Sequence, residues 1–207
     1  MHSQEHPEVV TSNTNLIIFF PGLNQAPESF VFKNKELIKV TLSFNSTREL
    51  DLASDILKIT KILKTNPSAK IIAHSLSALL IEWVIQNGRP EFAQLDITYV
   101  APAFYPTSLL SNLFVTISKY ISLPIPSLAR RSTRINWYVD LKVYASILDY
   151  NKQIDISLCQ HSVIVDEDDE VLKIDYLKML RSLKVVRENK FPHHRCYETF
   201  IRLIDWS

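Results

Sequence analysis

Short, wholly apolar runs recur along this chain, and between them lie segments whose apolar residues repeat with the period of a helix. "LIIFF" (16–20) has no polar face at all. A strand of that kind needs cover on both sides, which a parallel sheet between helices provides and a half-wetted antiparallel sheet does not. "IKVTLSF" (Ile38–Phe44) alternates and is rich in branched residues, so a second strand is expected there. Over Asp51–Lys64, the residues Leu52, Ile56, Ile59 and Leu63 share one helical face, and "NP" closes the segment. "KIIA" (Lys70–Ala73) reads as a strand, and Leu76–Gly88 as a helix with Gly88 as its C-terminal cap. Asp96–Pro102, His161–Val165 and Leu183–Val186 read as further strands, and Tyr197–Trp206 as a terminal helix. This alternation predicts an α/β fold: a mostly parallel central sheet with helices on both faces.

At 207 residues and 46% hydrophobic content the chain can bury one substantial core. Residues 15–207 are therefore expected to form a single domain behind a flexible lead, residues 1–14. The long interruption at 104–152 is expected to be a small helical insert between strands, placed like a cap or lid. Lys plus Arg number 23 and Asp plus Glu 22, so the net charge of +1 sets up no field that would attract nucleic acid. Cys159 and Cys196 match no metal spacing and are too few for a disulfide framework. The first residues lack the apolar core of a signal peptide, and no run approaches the roughly 18 apolar residues of a membrane span. The expectation is a soluble cytoplasmic protein with no metal and no cofactor. With only two glycines, Gly22 and Gly88, each is expected where backbone geometry matters.

The chemistry centres on "IIAHSLSA" (71–78). A nucleophile elbow requires a strand, a tight turn that strains the serine backbone, and a helix whose N-terminus points at the reacting centre. Ser75 stands at such a junction, with small residues two before and two after it, Ala73 and Ser77. The alternative is a helix start that Ser75 caps through its hydroxyl. Past the strand at 161–165, "DEDDE" (166–170) supplies an acid, for which Asp169 fits best and Asp168 is the fallback. After the last strand, "FPHHR" (191–195) supplies a base just before the final helix. Spacing to Tyr197 favours His194 over His193. His74 and His161 are expected to serve structure.

Ser75, Asp169 and His194 in that chain order, each following a strand, resemble the α/β-hydrolase superfamily in its short lipase, carboxylesterase and serine aminopeptidase-like branch. The resemblance extends from Leu16 to Trp206. "FFPGLNQ" (19–25) resembles the loop that usually reads His-Gly-X, with Pro21 in place of the histidine and Gly22 kept. The resemblance implies an oxyanion hole made by the backbone N–H groups of Leu23 and Leu76, with Asn24 as a possible supplement. It also implies a serine hydrolase that cleaves a carboxylic ester or thioester through an acyl-enzyme. His194 would take the Ser75 proton and Asp169 would orient the imidazole. The apolar and aromatic stretch after Phe104 would suit an acyl chain, so the partner is a small-molecule ester or acyl substrate. Arg130, Arg131 and Arg134 stand in the same stretch. The other reading is a non-catalytic binding or interaction protein of the same fold. The missing elbow glycines and loop histidine favour it.

Overall fold

The computed structural model describes residues 16–26, 36–46, 51–105, 116–117, 120–121, 123–126, 138–167, 169 and 172–187. Within them, β1 (Leu16–Phe20), β2 (Glu36–Lys39), β3 (Lys70–His74), β4 (Ile97–Val100), β7 (Ser162–Asp166) and β8 (Leu183–Val186) form one all-parallel sheet in the order β2-β1-β3-β4-β7-β8. A second, two-stranded antiparallel sheet pairs β5 (Pro124–Pro126) with β6 (Tyr138–Asp140).

The central strands earn their place by composition. Ile17, Ile18, Phe19 and Phe20 are all buried, and so are the four residues of β4 and the last four of β3. Consecutive side chains point to opposite faces, so both faces of the sheet are covered. Helix α3 (Leu76–Asn87) buries nearly its whole circumference. It packs between α2 (Leu52–Thr65) and α4 (Leu141–Asn151). Helix α2 is amphipathic and starts at Asp51, whose side chain accepts a hydrogen bond from Ser54 N.

Several details differ from the sequence expectation. The second strand runs Glu36–Lys39 rather than Ile38–Phe44, and the chain then closes a single helical turn, α1 (Ser43–Ser46). The cause lies in α2. Asp55 is 3% exposed and turns its carboxylate onto Ser43, accepting from Ser43 N and Ser43 Oγ at 2.6 Å each. That ties the chain away from the ladder after Val40, whose N–H still donates to Phe19 O. Burial raises the Asp55 carboxyl above its usual range, and the Ser43 hydrogen bonds oppose this. Asp55 joins Leu52, Ile59 and Leu63 among the buried residues of α2, while Ile56 is partly buried against the core. Gly88 does cap α3, its N–H donating to Val84 O at 3.1 Å, but its φ of −168° is extended backbone open to any residue. The last helix read from the sequence, and the lead at 1–14, lie outside the described residues.

A buried side chain helps tie the interruption after β4 back to the core. Asn151, at the end of α4, is 3% exposed. Its Oδ1 accepts from Tyr105 N at 2.9 Å, while Nδ2 donates to Ala103 O at 2.8 Å and Ile147 O at 2.9 Å. One buried amide thus engages three backbone groups, two of them in the segment that follows β4.

At the opposite end of the strands a polar cluster is buried. Tyr99 donates its hydroxyl to Glu82 Oε2 at 3.0 Å, and Gln86 Nε2 donates to Glu82 Oε1 at 2.6 Å. The His161 ring stands edge-on to Tyr99, centroids 5.4 Å apart. Its Nε2 is buried and has no hydrogen-bond partner among the described residues. Burial pushes the imidazole below the ordinary histidine range, and Glu82 and Asp96 offset this only in part. Burial and Glu82 likewise push the Cys159 thiol up to about 12.

The unfolded chain gains a proton at His161 as pH falls through about 6.5, whereas the folded one gains it only at lower pH. Stability from this group is therefore complete above that value and is lost as pH drops toward the folded value. Urea midpoints at pH 7.5 and 5.5 should fall less for His161→Phe than for the parent, and equal losses would contradict the assignment.

Candidate active site

Register aligns the strand ends. Phe20 pairs with Ala73, His74 with Val100, and Val100 with Ile164, so the turns after β1, β3, β4 and β7 emerge along one rim of the sheet. Among the described residues, three non-glycine residues have positive φ, and all lie on this rim: Asn24 (57°), Ser75 (51°) and Ala101 (42°). Asn tolerates such values, but Ser and Ala adopt them at a cost of order 1–3 kcal/mol, met only when the surroundings over-determine the backbone.

Ser75 meets that condition. It lies between β3 and α3 with φ 51° and ψ −115°. Its N–H donates to Val100 O at 3.1 Å, and its carbonyl accepts from Ala103 N at 3.0 Å and Leu79 N at 3.3 Å. Ala73 and Ser77 are wholly buried around the turn. A larger side chain at either place would enter the packed core. Although Ser75 holds the N-cap position of α3, its side chain makes no capping hydrogen bond. The hydroxyl-capped helix start is thus not what forms. A strand–turn–helix with a strained serine is.

The turn after β1 lies against this elbow. Ser77 Oγ donates to Pro21 O at 2.5 Å. A Cβ at Gly22 would stand 2.5 Å from His74 Nδ1 and 2.7 Å from Gln25 Oε1. Glycine is required there by close approach. Leu23 follows in the turn, partly buried against the core, and Asn24 N donates to Phe44 O at 2.9 Å. Leu76, wholly buried, opens α3. Its N–H belongs to the first helical turn, whose amides have no intrahelical acceptor. The positive end of the helix dipole lies at the same point.

Asp169 stands past the end of β7, 9% exposed. Its N–H donates to Asp166 O at 3.3 Å, and its Oδ1 accepts from Leu172 N at 2.7 Å. The neighbouring acids have other places. Asp166 is wholly buried as the last residue of β7, and Glu167 forms an exposed ion pair with Arg187 at 2.7 Å. Tyr105 lies within electrostatic reach of Asp169. Burial first, and then the charge of Asp169, lift the Tyr105 hydroxyl well above the ordinary phenol range. It is a neutral O–H near that carboxylate.

Ser75, Leu23, Leu76 and Asp169 therefore share one rim. Asp168, His193, His194, Arg130, Arg131 and Arg134 fall outside the described residues. His74 hydrogen-bonds beside the sheet, and His161 lies at the far end of β7. Among the described residues, no His, Cys, Asp or Glu side chains gather as a metal ion would require, and no helix is long and apolar enough to cross a membrane. The sequence reading passed over Gln25 and Asn151, because an isolated amide side chain carries no motif.

No protein-family model matches the sequence, and no curated protein matches it. Solved structures do match by shape. A metagenome-derived lipolytic enzyme superposes with a TM-score of 0.62 at 10% identity, over 91% of this chain and 90% of that one. A soluble variant of monoglyceride lipase from Saccharomyces cerevisiae, in complex with a substrate analog, gives 0.56 at 8% identity over 86% and 79%. The thioesterase domain from the curacin biosynthetic pathway gives 0.52 at 9% identity over 93% and 91%. At these identities the likeness is one of fold.

The two glycines should separate sharply. Gly22→Ala places a methyl group against His74 and Gln25 and should cost about 1–3 kcal/mol in urea unfolding. Gly88→Ala, whose Cβ meets only Val84 O at 3.9 Å, should stay within about 0.5 kcal/mol. Equal effects would mean that the close approach at Gly22 is not real.

Proposed function

The chain has the α/β-hydrolase fold, and on that premise we propose that it is a serine hydrolase cleaving a carboxylic ester or thioester with an apolar acyl group. The observation that carries this is the strained backbone of Ser75 at a strand–helix junction, φ 51°. Such strain is retained only where the neighbourhood enforces it, and at this place in the fold its effect is to present a hydroxyl at the sheet rim.

In this reading Ser75 Oγ attacks the acyl carbonyl while His194 takes its proton, and Asp169 holds the imidazole in the right tautomer and stabilises its cation. Asp169 suits that role because it is buried, anchored by Leu172 N, and on the same rim as Ser75. Negative charge then builds on the carbonyl oxygen, which the N–H groups of Leu23 and Leu76 and the N-terminus of α3 stabilise. Each donor is worth on the order of 3 kcal/mol of barrier. The alcohol or thiol leaves with the proton from His194. Water, activated by the same histidine, releases the acid and restores Ser75.

We further propose that the 104–152 stretch acts as a cap that meets the acyl chain. Among its described residues Ile117, Tyr120, Ile121, Leu123 and Tyr138 are exposed, an unusual density of apolar surface. Asn151 and the buried Phe104 fasten the stretch to the rim beside Asp169.

A fluorophosphonate probe tests the reading directly. The parent should label, Ser75→Ala should not, and hydrolysis of p-nitrophenyl butyrate should drop at least roughly 1,000-fold in Ser75→Ala. His194→Ala should fall comparably and His193→Ala only slightly. A folded parent that never labels would favour the non-catalytic reading instead.

A further inference from the structure

The turn that carries Leu23 is held by a side chain with no part in the reaction as described. Gln25 and His74 are each 2% exposed. Gln25 Oε1 lies 2.7 Å from Gly22 N and 3.1 Å from His74 Nδ1. Protonation states follow from chemistry alone. A backbone N–H only donates, so the atom facing Gly22 is the amide oxygen of Gln25. That oxygen only accepts, so Nδ1 of His74 carries the proton.

One oxygen thus receives two N–H donors from two different turns. Gly22 immediately precedes Leu23 in the turn after β1, and His74 immediately precedes Ser75 in the elbow. The same two turns are joined a second time by the Ser77 Oγ to Pro21 O hydrogen bond. Pro21 itself contributes no side-chain donor or acceptor to the turn. The close approach at Gly22 leaves no slack, since even a Cβ there would overlap both His74 and Gln25.

We propose that Gln25 and His74 are positioning residues: the shared Gln25 oxygen locks the Leu23 turn onto the Ser75 elbow and so sets where the Leu23 N–H points. This rests on Leu23 being an oxyanion donor of a serine hydrolase. Neither side chain touches substrate. A donor that must meet charge only as it develops is sensitive to small displacements, so the loss should appear in kcat and not in KM.

The experiment measures kcat and KM for p-nitrophenyl butyrate, with fluorophosphonate labelling and melting temperature as controls. Gln25→Leu removes the acceptor at similar size. It should stay folded, lose about 10- to 100-fold in kcat, and keep KM within about twofold. His74→Asn, whose amide N–H stands near the place of Nδ1, should keep most activity, whereas His74→Leu should fall as Gln25→Leu does. If Gln25→Leu fails to fold, the His74 pair decides alone. An active parent with unchanged kcat in folded Gln25→Leu, a loss confined to KM, or equal activity in the two His74 variants would overturn the positioning role only. A folded parent that neither labels nor hydrolyses the ester would overturn the hydrolase reading and this inference with it.

Discussion

The strained turn at Ser75 depends on strand register more than on any residue within it. A serine at φ 51° relaxes unless neighbouring strands hold its peptide groups. Here β4 supplies Val100 O, and the segment after β4 supplies Ala103 N, so both main-chain groups of Ser75 are spoken for across the sheet. Slip that pairing by one residue and every side chain of β3 changes face. Ile71 and Ala73 would then exchange surroundings with Ile72 and His74. The slip would turn His74 to the face of Ala73 and away from Gln25, whose Oε1 lies 3.1 Å from His74 Nδ1 in the observed register.

Around this frame the chain places buried polar side chains as ties between elements distant in sequence. Asp55 holds the chain after β2, Asn151 holds the long segment after β4, and Gln25 joins the first turn to the elbow. Each makes at least two hydrogen bonds, and hydrogen bonding is the condition for burying a polar group at little cost. Each also acts on backbone, so it fixes the course of a connection where a purely apolar contact would leave it free to slide. His161 departs from this pattern, a buried ring whose Nε2 has no hydrogen-bond partner among the described residues.

Much of the sheet was legible because its signal is local. "LIIFF" and "KIIA" have no polar face, and such runs have few places to go in a folded chain. The position of Ser75 could be read for a related reason: a strand ends, a helix begins, and only small residues flank the junction. The second strand was misplaced because its apparent continuation to Phe44 is alternating in pattern. The interaction that bends it aside comes from Asp55, 12 residues beyond Ser43. The helix end at Gly88 is legible in the sequence, and Gly88 does cap α3, but the composition of a position does not reveal its φ, which here is not left-handed.

What the linear chain determined by itself was the class of architecture and the order of its chemically distinctive residues, since both are written in apolar periodicity and in which residues follow each strand. Tertiary structure decided which groups meet. Alignment of the strand ends brings Leu23, Ser75, Leu76 and Asp169 to one rim, and burial leaves Glu167 in an exposed ion pair while Asp169 is enclosed. The shared oxygen of Gln25 belongs to this second kind of information. A glutamine between Asn24 and Ala26 carries no signal along the sequence, and its two donors come from turns some fifty residues apart, joined only because β1 and β3 are neighbours in the sheet.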